Sequence, residues 1–167
     1  KKKFVIFFLI FFFIFVYTIF VYTMDGYLEI AKNTVVGMLK AGNKAEQYLN
    51  GTLKPFDISL QQFNVLRILR GRKGKAANLN TVQQRMIHKM SNTSRLIDKL
   101  IEKKLVERDI CTDNRRKIEL FITNRGLNLL NDLDNKIQMT EAEILKPLSI
   151  DDQKILRNLI NKITLTN

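Results

Sequence analysis

One cysteine, one histidine, two prolines, seven glycines and no tryptophan among 167 residues leave few chemistries open. A lone cysteine excludes an internal disulfide framework, and one histidine beside it excludes the ordinary zinc-finger and zinc-ribbon patterns. No nucleophile has a histidine partner in a recognisable spacing, and there is no glycine-rich phosphate loop. The expectation is therefore no catalytic residue, no metal site, no cofactor and no enzyme activity. Scarce glycine and proline argue against a sandwich of short strands and for helices. Acidic residues are also few, sixteen against twenty-eight Lys plus Arg, for a net charge of +12. Such a surplus points to polyanionic partners, either nucleic acid or an anionic membrane surface. At about 150 residues per domain, the length is one domain's worth.

The first twenty-three residues differ from the rest. Lys1, Lys2 and Lys3 precede Phe4 to Thr23, twenty residues without charge, glycine or proline, eight of them Phe. By length and polarity the segment could cross a bilayer. It ends at Tyr22, Thr23 and Met24 rather than at the small residues of a signal-peptide cleavage site. Lysines before it, with Asp25 and Glu29 after it, would keep the N-terminus in the cytoplasm and place all that follows outside. Residue types encoded by A and T alone supply about four-fifths of the segment, a low-complexity bias. It is read first as translated upstream sequence or a mis-set start, with translation from Met24 and a cytoplasmic protein. The alternative is a working span that anchors a basic domain, as a tethered regulator or an adaptor on anionic lipid.

From Met24 onward the periodicity predicts a mainly α chain with a small β-hairpin. Tyr27, Leu28, Ala31, Val35, Met38 and Leu39 keep helical spacing, in a helix expected to stop at Asn50 and Gly51. Pro55 breaks the chain, and Ser59 with Gln62 forms a capping-box signature for a helix from Leu60 that turns Leu60, Phe63, Val65, Leu66, Ile68 and Leu69 inward. The basic loop Gly71 to Lys75 ends it. A short helix is expected from about Leu79 to Ile87, capped by Asn78 or Asn80, and another from near Ser91 to about Lys104.

That last helix turns Leu96, Ile97, Leu100, Ile101 and Leu105 to one face and Asn92, Arg95, Lys99 and Lys103 to the other. Its first turn, Ser91 to Arg95, holds short polar side chains able to approach base edges, and Arg pairs bidentately with guanine in a major groove wide enough for a helix. Two short helices joined by His88, Lys89 and Met90 have the lengths of a helix-turn-helix. Leu105 to Ile110 and Lys117 to Ile122 then read as strands around a turn with Arg115 and Arg116 at its tip. Such a hairpin reaches a phosphate backbone or a minor groove while the helix occupies the major groove. The plainer reading, a capped helix start and a soluble charged tip, stands beside it.

The run from Ile58-Ser59-Leu60-Gln61-Gln62, through Met90 to Leu100, Lys104 to Arg108 and Arg115-Arg116, to Ile122-Thr123-Asn124-Arg125-Gly126 resembles the multiple-antibiotic-resistance regulator (MarR) family of winged helix-turn-helix repressors. The resemblance covers about residues 27 to 163. It implies a winged helix at about 58–123, dimerisation helices at about 25–50 and 124–163, and a homodimer bound to a near-palindromic double-stranded DNA operator and released by a small-molecule inducer. Carried over by position, the recognition helix is Ser91 to Lys103, with Ser91, Asn92, Thr93, Ser94, Arg95 and Lys99 as DNA-binding candidates. The wing is Arg108 to Leu120, with Arg108, Asp113, Asn114, Arg115, Arg116 and Lys117 as its candidates. The family's Asp before the wing arginine falls on Asn114 here, with Asp113 one residue early, so either Arg115 or Arg116 is the DNA contact.

Leu127, Leu130, Leu133 and Ile137, then Ile155, Leu156, Leu159, Ile160 and Ile163, form further apolar stripes, more than a small lobe needs to cover itself. A second chain would bury them, with a monomeric bundle as the alternative. Cys111, near Arg108, Arg115 and Arg116, is a redox-sensing candidate because positive charge favours its thiolate. His88 reads as a turn residue.

Overall fold

The computed structural model describes residues 2–87, 92–110 and 118–164. Ser91, His88, Cys111 and the wing tip, including Asp113, Asn114, Arg115, Arg116 and Lys117, lie outside the described residues. The chain divides into two compact units, residues 1–44 and 45–167. The first is made by one helix, α1 (Lys2–Leu53), which is unbroken at Met24 and continues into the second unit.

Asn50 and Gly51 do not end α1, contrary to the sequence expectation. The helix runs two residues further because its last turn is held from outside: Leu53 is fully buried, Leu49 packs on the core, and the Thr52 hydroxyl bonds that of Thr140 at 2.7 Å. Tertiary burial here outweighs the intrinsic cost of glycine in a helix, about 1 kcal/mol. The chain then tightens into a 3-10 turn (Lys54–Phe56) with Pro55 in its first positions, where a missing N–H costs nothing. Asp57 follows in the left-handed conformation, φ 55°.

Helix α2 (Leu60–Arg70) starts at the capping box. Gln62 N–H donates to Ser59 Oγ at 3.2 Å, and Ser59 N–H donates to Gln62 Oε1 at 3.1 Å. Its Phe63, Val65, Leu66 and Leu69 form the middle of the core. Helix α3 (Leu79–Arg85) is capped by Asn78, whose Oδ1 accepts from Thr81 N–H at 2.8 Å. It ends before Ile87, short of the expected boundary, because Met86 turns extended (ψ 140°) and sends its side chain into the core.

Helix α4 (Thr93–Glu102) closes with Lys104 left-handed at φ 58°. Leu105 N–H donates to Leu100 O at 2.9 Å and Lys104 N–H to Ile101 O at 2.8 Å, the paired bonds of a Schellman stop. Strands β1 (Val106–Ile110) and β2 (Ile118–Ile122) pair antiparallel with Val106 opposite Ile122 and Arg108 opposite Leu120. Ala77 adds a bridge to Leu120, tying the approach to α3 onto the hairpin. Helix α5 (Asn124–Leu145) begins at Thr123, whose Oγ accepts from Gly126 N–H at 3.0 Å and donates to Lys104 O at 2.9 Å. Helix α6 (Ile150–Thr164) follows Ser149. The result is the expected class: mainly α with one small hairpin.

Candidate nucleic-acid interface

The two faces of α4 are set by its apolar spacing. Thr93, Ile97 and Leu100 are buried against α2 and α3, while Asn92, Ser94, Arg95, Asp98, Lys99 and Glu102 are exposed. Arg95 has no hydrogen bond or ion pair among the described residues, so its guanidinium is available to a ligand.

Thr93 corrects an expectation. Expected among the base-reading candidates, it is 0% exposed, and its hydroxyl faces the Met86 sulfur at 3.8 Å. The signal was in the spacing: positions 93, 97 and 100 fall four and three apart, on one helical face. Thr93 therefore seats the start of α4 against α3, and its neighbours Ser94 and Arg95 are turned outward.

Of the wing candidates, Arg108 is described, and it is already engaged. Its Nη2 donates to Asp98 Oδ1 of α4, an ion pair between half-exposed side chains. The structure thus joins a predicted wing residue to a helix residue that sequence reasoning did not single out. The nine residues between them pass through a helix stop and into a strand, which no periodicity relates. Lys99 lies on the flank of α4 away from Arg108. With Lys103 and Lys54 it lines an open cleft of about 610 Å³, shared with Asn50, Asp57 and Gln62. Lys103 Nζ pairs with Asp57 Oδ2 at 2.9 Å on its rim.

A second basic group sits at the end of α2. Arg70 is bound bidentately to Asp134 of α5, at 2.7 and 3.0 Å. These hydrogen bonds raise the Arg70 pKa and hold the Asp134 carboxyl below its usual range, against the opposing effect of burial. Arg72 donates to Ala76 O, and Arg67 lies over the Phe63 ring at 5.7 Å. Lys73 and Lys75 are exposed, with no ion pair among the described residues. Among those residues no group of three or more His, Cys, Asp or Glu is placed to hold a metal.

A helix pair whose second helix bares a polar, arginine-bearing face, followed directly by a hairpin, defines a winged helix-turn-helix protein. Residues 58–118 match the sequence profile of the MarR family. The family matched over that segment is one of DNA-binding transcription regulators. Solved structures agree in fold. A mutant MarR from E. coli complexed with operator DNA is 23% identical, with TM-score 0.70, covering 76% of this chain and 90% of that one. A MarR transcription factor from Planctomyces limnophilus is 26% identical, with TM-score 0.64, covering 78% and 94%. BpsR of Bordetella bronchiseptica, whose DNA binding is regulated by 6-hydroxynicotinic acid, is 18% identical, with TM-score 0.71, covering 78% and 91%.

Proposed function

We infer that the protein is a cytoplasmic, dimeric, sequence-specific repressor that binds a near-palindromic double-stranded DNA operator and is released by a small molecule. One observation carries the reading: the outward face of α4, with Asn92, Ser94, Arg95 and Lys99 exposed over an inner face of Thr93, Ile97 and Leu100. In a major groove Arg95 would pair with a guanine edge and Ser94 and Asn92 would meet neighbouring bases. Arg115 or Arg116, with Lys117, Asp113 and Asn114, would serve at the wing tip.

Dimerisation is supported by α6, where Ile155, Leu156, Leu159, Ile160 and Ile163 are all exposed in the single chain. Apolar area of that extent leaves water when a second copy covers it. Two copies would set two recognition helices about 34 Å apart, one DNA turn. The 610 Å³ cleft beside α4, with Lys54, Lys99 and Lys103 on its walls, suits a small organic anion. Such a ligand would lower operator affinity by its differential affinity for the conformer with displaced α4, and by no more.

Selection of duplexes from a random library by the full chain, followed by footprinting, tests the reading. The expected outcome is a two-fold symmetric sequence with half-sites one turn apart. Recovery of unrelated sequences with uniform affinity would refute it.

A second reading, membrane attachment, is favoured by α1. Its first part is long and apolar enough to cross a membrane by length and composition. Phe13, Ile14, Phe15, Val16 and Tyr17 are exposed on every side of the helix. Mass spectrometry of the native N-terminus with cell fractionation separates the two: a soluble chain beginning at Met24 removes this reading.

A further inference from the structure

The outer face of α4 carries an acid where a polyanion is to be met. Asp98 follows Ser94 by four residues and Arg95 by three, so it shares their face, and it is exposed. A bare carboxylate there would be repelled by phosphates, but Asp98 is held by Arg108. Strand alternation explains how Arg108 comes to be there. Val106 and Arg108 point to the same side of β1. Val106 is buried, and Arg108 stands opposite buried Leu120. The strand face that covers the core at Val106 runs past its edge at Arg108, where the guanidinium meets α4. Between α4 and β1 lies an open cleft of about 580 Å³, with Ile101 and Glu102 on the helix side and Val106 and Glu107 on the strand side. Asp98 and Arg108 both line it.

We propose that Asp98 is a positioning residue: through Arg108 it braces the first wing strand against the recognition helix across this cleft. The brace sets the position of β1 relative to the helix that enters the groove, and Arg108 serves the brace rather than a phosphate. The effect on operator binding rests on the DNA-binding reading above, whereas the brace itself belongs to the free protein. With side chains 40% and 53% exposed, the pair contributes more to geometry than to stability.

Full-length wild type, Asp98→Asn, Arg108→Ala and the exchanged pair Asp98→Arg with Arg108→Asp are compared in two measurements. In the free protein, amide hydrogen exchange across residues 106–110 is expected to quicken about threefold in both single variants and to return to the wild-type rate in the exchanged pair. Equal rates in all four, or a fast exchanged pair, would overturn the brace whatever the protein binds. On the duplex selected by wild type, each single variant is expected to lose affinity about three- to tenfold, with protection lost at the flanks and kept at the centre of each half-site. The exchanged pair restores the flanks. If Arg108→Ala alone lowers the salt slope by about one, with Asp98→Asn without effect, Arg108 is a direct phosphate contact and the proposal fails. If wild type selects no duplex, the DNA-binding reading is what fails, and the exchange rates alone decide the brace.

Discussion

Gly126 shows how a single residue fixes the joint between wing and α5. A Cβ built there would stand 2.4 Å from the Leu105 carbonyl oxygen and 2.8 Å from Ile122 Cγ1. That carbonyl also accepts the Thr123 N–H at 3.1 Å, so it cannot retreat without breaking the cap of α5. Gly126→Ala should therefore lower stability by about 3 kcal/mol, the upper end of overpacking costs, read from thermal or urea unfolding. The opposite is expected at Lys104, a non-glycine residue at φ 58° in the Schellman stop of α4. Lys104→Gly should raise stability by about 1 kcal/mol, since glycine adopts this conformation without steric penalty. Both residues stood in the sequence without a visible role. Gly126 entered the family-like Ile122-Thr123-Asn124-Arg125-Gly126 run, but the reason for it is a contact with a backbone twenty-one residues earlier. Thr93 is the converse case, because its burial was readable from its distance to Ile97 and Leu100 and its polarity obscured that.

Among the elements, α2, α3, α4, the hairpin, α5 and α6 appear where periodicity and capping chemistry place them, within a few residues. The capping box at Ser59 and the Asn78 cap are local signals, and local signals survive in the fold. What was illegible is long-range. The end of α1 is decided by burial of Leu53 and the bond to Thr140, and the Ala77 bridge to β2 has no sequence pattern at all. Likewise α2 and α5 are clamped by Arg70 and Asp134, residues sixty-four positions apart. That clamp predicts a pH dependence. The Asp134 pKa is lowered in the fold, so its stabilising effect is fully present above the unfolded carboxyl's pKa and is lost as pH falls through the folded value. Arg70 is raised from an already high value, so it adds nothing to pH dependence in the acid range. With side chains 32% and 41% exposed, the clamp is worth less than about 1 kcal/mol. Asp134→Asn should destabilise the protein by that amount at neutral pH and have no effect in strong acid, as measured by unfolding midpoints across the pH series.

For the whole molecule, the proposed dimer and the proposed recognition make linked predictions. The bare apolar row of α6 predicts that wild type sediments as a dimer. Leu159→Asp, at a position half exposed in the single chain, should shift it toward monomer without lowering the stability of the 45–167 unit's core. Operator affinity should fall with it, because each half-site is then bound alone. Analytical ultracentrifugation gives the first result and a binding titration the second. The most direct test of recognition is base preference in Arg95→Ala against wild type, measured over every single-base substitution of the selected duplex at fixed salt. The expected result is a loss of about 1–3 kcal/mol with preference relaxed at one position in each half-site. An unchanged preference profile, or a uniform loss at every position, would contradict the account.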